Sequence, residues 1–287
     1  MSNHRYEILY KLKTVEDLPT LPTVISKLSE LINDLDCSAT DIIELLKSDS
    51  AIASRILKVV NSSLYRSSSN HVLSLQEAIV RLGFKEVNNI ALGTALITMF
   101  PVRQKGLFSR REFWKHSLYT SLLAVELGKA VGYTKFRTDE LHLAGLLHGI
   151  GKLIFDLYFP ELFQKSLTLA AHAEYPLCRS EEMVMGIDHC ELGQVVALNW
   201  HLPPVAVNVI RFYSKPEECP DEFRDVARIV NLADFVVSTQ EFGLDPTVGF
   251  SALDPSVWNN LGLDPSQIDE CAERVRLSAS ALICIIL

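Results

Sequence analysis

Four polar side chains stand where the surrounding pattern asks for apolar ones. His116 shares a helical face with Tyr119, Leu123 and Leu127, His148 with Leu141, Ala144 and Gly145, and His189 with Leu192 and Val196. Asp234 falls between Val230 and Val237 at helical spacing. A carboxylate on a buried face is costly unless it is paired or binds a metal. Imidazole nitrogens with a carboxylate are a donor set for a divalent transition metal such as Fe, Mn, Ni or Zn. Water bound there is acidified, which is the chemistry of a hydrolase. Taken singly, each histidine equally suits a hydrogen-bonded place in a core. The set gains meaning only if the fold gathers it.

A second polar group is the basic run from Pro101 to Ser117, where Arg103, Lys105, Arg110, Arg111 and Lys115 face one acid, Glu112. Arg110, Arg111 and Lys115, with Lys152 further on, are candidate contacts for an anion or phosphate beside a helix start. The same run also reads as a solvated linker. Lys152 could bind an anion or carry its ammonium out to solvent along its own apolar stem. No GxSxG elbow and no phosphate-binding GxxxxGK[ST] loop is present. A heme-based sensor has no attachment motif to support it.

The elements that would position these residues read as helices. Val24, Ile25, Leu28, Leu31, Ile32 and Leu35 keep helical spacing. The run from Ser38 to Asp41 is a capping-box-like start, and Ser48-Asp49-Ser50 is another. The serine-rich stretch 62–69 reads as a loop. Helical spacing resumes at Leu75, pauses at Gly83, and continues from Val87 to Met99. Longer helices are expected at about 112–131, 138–158, 160–173, 180–199, 203–213, 222–241 and 265–286. No alternating strand pattern appears in the first hundred residues, and no internal repeat is evident.

The totals bound the class. A chain of 287 residues with 48% hydrophobic content can bury a substantial core, and 22% charged residues is ordinary globular composition. A net charge of -8 disfavours bulk nucleic-acid binding. None of the six cysteines forms a CxxC pair, and their spacing suggests no zinc knuckle. Free thiols fit a reducing cytoplasm. The opening residues carry charge and no apolar signal segment. The most apolar stretch, Leu141 to Phe159, contains His142, His148, Lys152 and Asp156, which argues against a membrane span.

Several motifs then coincide. The segment LLHGIGK at 146–152 resembles the LLHDIGK signature of the HD-domain metal-dependent phosphohydrolases. LPTLP at 18–22, the turn Asn61-Ser62-Ser63-Leu64-Tyr65, the helix QEAIVRLG at 76–83 and the turn NWHLP at 199–203 resemble, in order, motifs of their HDOD subgroup. The resemblance runs from about Val15 to Asp234. It implies an all-α fold, a helical HD-like bundle with an N-terminal helical lobe. It also implies metal ligands at His116, His148 and Asp234, with His189 matching the extra histidine of two-metal relatives. The chain departs from the pattern at Gly149, where the signature has its aspartate. It departs again at Arg211-Phe212-Tyr213-Ser214, where a paired histidine often stands.

These readings give residues 1–105 as the N-terminal lobe, 106–241 as the HD-like core and 242–287 as a C-terminal helical extension. The expected function is a non-catalytic regulatory module that binds a protein or small ligand. Its expected partner, acting in trans, is a kinase, a response regulator or a nucleotide-signalling enzyme. The alternative is a divergent metal-dependent phosphohydrolase acting on a nucleotide or cyclic dinucleotide.

Overall fold

Most helix ends follow from local side-chain chemistry. The computed structural model describes residues 4–14, 23–32, 38–62, 71–100, 104–240, 242, 257 and 260–286. LPTLP at 18–22, Ser63 to Tyr65 and Arg103 lie outside the described residues. The chain divides into two compact units: Met1–Thr20 with Val102–Ala272, and Leu21–Pro101 with Glu273–Leu287.

Among the described residues the smaller unit carries α2 (Thr23–Ile32), α3 (Ala39–Lys47), α4 (Ser50–Val60), α5 (Leu75–Leu82) and α6 (Phe84–Met99), besides the C-terminal part of the last helix. The capping box forms as expected: the Ser38 hydroxyl accepts from the Asp41 amide, and the Asp41 carboxylate accepts from the Ser38 amide at 2.9 Å. Asp49 caps α4 and Ser74 caps α5. Gly83, at φ +88°, separates α5 from α6, a conformation open to glycine and strained for other residues. Every residue of α6 from Glu86 to Ile97 is buried, and α2, α4 and α5 pack against it. One side-chain amide holds the α4 exit. Asn61 Nδ2 donates to Leu57 O and Val72 O, and its Oδ1 accepts from the Val72 amide, each at 2.8 Å.

The larger unit begins with α1 (His4–Thr14), which buries Ile8 and Leu12. Arg5 of that helix donates to Glu191 at 2.9 Å, and Lys11 donates to Tyr158 O at 3.3 Å. The stretch expected to be a linker holds a two-stranded antiparallel hairpin, β1 (Gln104–Lys105) and β2 (Phe108–Ser109). Helices α7 (Arg110–Ala130), α8 (Lys135–Leu147), α9 (Ile150–Tyr158) and α10 (Pro160–Ala173) follow. Then come α11 (Leu177–Met185), α12 (His189–Asn199), α13 (Pro204–Phe212) and, after a 3-10 turn at Pro216–Glu218, α14 (Asp221–Thr239). The last helix, α15 (Pro265–Ile286), belongs to the larger unit through Ala272.

Two helices that the sequence joined are broken. The span expected at 138–158 is α8 and α9, divided at His148-Gly149. The span expected at 180–199 is α11 and α12, divided where Gly186 takes φ +74° and Asp188 starts a new helix by accepting from the Glu191 amide at 2.7 Å. Apolar periodicity continued across both breaks, so only the glycines and, at the second, the capping Asp188 marked them.

Two other glycines set helix separations. A Cβ on Gly145 would stand 2.7 Å from Ser121 Cα, so α7 and α8 touch backbone to backbone. A Cβ on Gly151 would fall 2.0 Å from the His189 carbonyl oxygen and 2.9 Å from the Gly193 nitrogen, so α9 and α12 do the same. In an open helix, replacing glycine by alanine gains about 0.5–1 kcal/mol. Here the added methyl meets immovable backbone, so overpacking decides the sign. Gly151→Ala is expected to destabilise the protein by about 3 kcal/mol or more, read as a lower urea midpoint at unchanged slope.

Candidate metal centre

Three of the four singled-out residues converge. His116 comes from α7, His148 from the α8–α9 junction and Asp234 from α14, with exposures of 1%, 0% and 2%. His116 Nε2 lies 2.6 Å from Asp234 Oδ1, and His148 Nε2 lies 3.2 Å from the same oxygen. One donor atom from each residue falls within 4.8 Å of the others.

The tautomer of His148 is set from behind. Its Nδ1–H donates to Gly145 O at 2.6 Å, the outer-shell bond that metal-ligating histidines characteristically make. That leaves Nε2 as a bare lone pair, buried and without a hydrogen-bond partner, facing a carboxylate oxygen. Two acceptors opposed in a dry site call for a proton or a cation between them. His116 Nδ1 is likewise buried without a partner. The donor set and its orphaned nitrogen therefore fit a divalent transition metal held by His116, His148 and Asp234.

The electrostatics support this. Burial alone would raise the Asp234 carboxyl, but His116, hydrogen-bonded to it, and His148 beside it hold it well below the usual carboxylate range. Burial lowers the His116 pKa by more than Asp234 restores, and the charges of His148 and Lys152 act in the same direction as burial. The site thus presents an ionised carboxylate and an imidazole biased towards its neutral, ligating form.

His189 has its own surroundings. Its Nδ1–H donates to Glu181 Oε2 at 2.6 Å, and the same oxygen accepts from the His189 amide at 2.8 Å. Its Nε2 stands 2.5 Å from the Tyr213 hydroxyl. The Tyr213 ring packs edge-on to His148 at 4.8 Å between centroids, so it stands beside both histidines. Burial and nearby anionic groups hold the Tyr213 phenol well above its ordinary pKa. His189 also groups with Cys178 and Cys190. Burial opposes charge on its ring, but the attraction of Cys178 and Glu181 overrides this and raises its pKa to about 10.

The position that departs from the signature is filled. A Cβ on Gly149 would lie 3.1 Å from Phe113 Cε2, 3.6 Å from Lys152 Cδ and 3.7 Å from Lys152 Cε. Lys152 is 6% exposed, so its side chain is buried along this wall rather than spread into solvent.

The other basic candidates separate. Arg110 Nε donates to Asp156 Oδ2 at 2.6 Å, with the two side chains 8% and 13% exposed. Lys115 donates to Glu112 at 3.3 Å, and Arg111 is exposed. Arg110 and Lys115 therefore already hold carboxylates. Reasoning from sequence missed Glu181, Tyr213 and the cysteines beside His189. The available signal was Cys190 next to His189, and an aromatic residue at the place of a paired histidine.

A family model described as the HDOD domain matches residues 18–216. The chain belongs to the HDOD family. The match includes His116, His148 and His189, and Asp234 lies beyond it. An uncharacterized protein of Treponema pallidum (strain Nichols) is 26% identical over 223 residues, 78% of this chain and 42% of that protein's length. The chain thus spans less than half of that relative. Among solved structures, an HDOD domain protein of Geobacter sulfurreducens gives a TM-score of 0.70 at 22% identity, covering 95% of this chain and 97% of that one. A protein of Shewanella amazonensis SB2B, described as a proposed phosphohydrolase, gives 0.72 at 21% identity over 99% and 97%. A protein of Marinobacter aquaeolei VT8, described as a proposed signal transduction protein, gives 0.72 at 21% identity over 100% of this chain and 62% of that one. At such identities the likeness is one of fold. None of the described HDOD helices is long and apolar enough to cross a membrane.

The buried pair at the start of α7 yields a stability test. Removing one partner leaves the other charge stranded, at a cost of about 3–5 kcal/mol. Asp156→Ala should therefore lower stability by that order, while Arg111→Ala on the exposed side should change it by less than about 0.5 kcal/mol. Chemical denaturation of both variants checks the contrast.

Proposed function

We propose that this HDOD chain is a non-catalytic signalling module, which acts by binding a protein or small ligand rather than by turnover. The observation that carries this reading is the state of position 149. No carboxylate stands there, and Phe113 with the Lys152 stem occupies the adjoining space. An anionic ligand at that point would add charge that strengthens metal capture and tunes bound water. The chain offers the Lys152 ammonium in the same neighbourhood, whose charge already disfavours positive charge on His116. A divalent metal, where bound, supplies Lewis acidity and an acidified water. Around it, His116 and His148 contribute neutral donors, Asp234 the single anionic one, and Gly145 O orients His148. With one carboxylate among three donors the set would hold an ion more weakly than one with a second carboxylate at 149, and that weaker capture is the ground for placing binding above turnover. Signalling proteins acting in trans, such as a kinase, a response regulator or a nucleotide-signalling enzyme, are the proposed partners. The fold likeness to the Marinobacter aquaeolei protein supports that class.

A second reading, a divergent phosphohydrolase, is favoured by one observation: three buried donors still converge with a bare nitrogen among them. Purified protein supplied with manganese or iron, assayed on nucleotide and cyclic dinucleotide substrates, separates the two. Turnover at background rates is expected. Robust turnover lost in His148→Ala and Asp234→Ala would establish the second reading instead.

Restoring the carboxylate tests the argument from the other side. Gly149 has φ -98° and ψ 13°, which any residue adopts, and Phe113 need give only a few tenths of an ångström. Gly149→Asp is expected to raise manganese affinity by about tenfold or more, measured by competition with a chelator. Unchanged affinity would remove position 149 as the reason for the weak site.

A further inference from the structure

The larger unit contains a second set of donors that owes nothing to Asp234. Cys178 lies in the first turn of α11, and His189 and Cys190 are the first two residues of α12. Cys178 Sγ is 3.8 Å from Cys190 Sγ, 3.8 Å from His189 Nδ1 and 3.9 Å from His189 Nε2. These are close to the edges of a metal tetrahedron: two sulfurs about 2.3 Å from zinc stand about 3.8 Å apart, and a sulfur and an imidazole nitrogen about 3.6 Å. A disulfide would need the sulfurs to close to about 2.05 Å. We propose that Cys178, His189 and Cys190 form a zinc site, distinct from the His116–His148–Asp234 centre.

Glu181 supplies the support. It sits one turn beyond Cys178 on α11 and is 0% exposed. Its Oε2 fixes the His189 ring through Nδ1 and the α12 start through the His189 amide. This is the carboxylate–histidine arrangement that orients a ligating imidazole. Its other oxygen, Oε1, is buried without a hydrogen-bond partner. With Nδ1 committed to Glu181, Nε2 is the ligating nitrogen, and the metal replaces the Tyr213 hydroxyl as its neighbour. Cys190 is buried and Cys178 is half-buried. Capture is proton exchange without redox change: both thiol protons, and any proton on Nε2, pass to solvent as two thiolates and one neutral imidazole bind Zn²⁺. Three protein donors leave a fourth position for water.

The experiment uses full-length protein, stripped of metal by chelation and held reduced by a phosphine under nitrogen. Cobalt(II) alone is titrated in as a spectroscopic stand-in. Expected are a thiolate-to-cobalt charge-transfer band in the near ultraviolet and the intense visible bands of tetrahedral cobalt, both displaced by zinc. Cys178→Ser and Cys190→Ser should each abolish the charge-transfer band or cut it to a remnant. His148→Ala and Asp234→Asn should leave it intact, which separates this site from the other centre. Glu181→Gln should weaken zinc binding by about 10- to 100-fold. Because a cysteine variant could misfold, wild-type protein supplies a second measurement: a slight excess of zinc should slow alkylation of Cys178 at least tenfold, mapped by mass spectrometry. Absence of the thiolate band in wild-type protein, its persistence in both cysteine variants, its loss in Asp234→Asn, or an unchanged alkylation rate would each overturn the proposal.

Discussion

A carboxylate with 2% exposure in the interior must be neutralised where it stands, and the larger unit is arranged around that demand at Asp234. Its oxygen meets imidazole nitrogens carried by α7 and by the α8–α9 junction, at 2.6 and 3.2 Å. Helices distant in sequence are thereby committed to one point. The backbone contact at Gly145 brings α8 against α7, so His148 reaches the same point as His116. The hydrogen bond from His148 to Gly145 O then uses the last turn of α8 itself to aim the ring.

Position 149, where the resembled signature has an aspartate, carries no side chain. The space beside it holds the edge of Phe113 and the stem of Lys152. A hydrocarbon wall and an ammonium in place of a carboxylate make the surroundings poorer for a multivalent cation. They leave the three remaining donors in register. Helix packing here does not depend on the absent group, because Gly151 and Gly193 already fix the distance between α9 and α12.

Much of this was legible in the sequence because it is local. The Ser38–Asp41 cap, the Asp49 start, the Gly83 stop and the bounds of α10 and α15 follow from residues within a few positions of one another. His116, His148 and Asp234 could be singled out because polar residues interrupt apolar faces. Their convergence could not, since it depends on helix contacts set by glycines. The cysteine group stayed hidden for a related reason. Along one unbroken helix, Cys178 and Cys190 would be about 18 Å apart. Only the turn at Gly186 folds them together. Tyr213 was passed over because an aromatic residue on a helix ordinarily reads as core, and here its hydroxyl is the part that matters.

That turn sets the tolerance of this corner of the protein to change in length. Residues added at the far end of α11 or α12 would leave the donors in place. One residue gained or lost between Gly186 and Asp188 would rotate α12 by about 100° about its axis. His189, Cys190 and the Gly193 contact would leave their stations together. Three residues of loop thus act as the phasing element for one whole face of a helix, and substitution is a far gentler perturbation there than insertion or deletion.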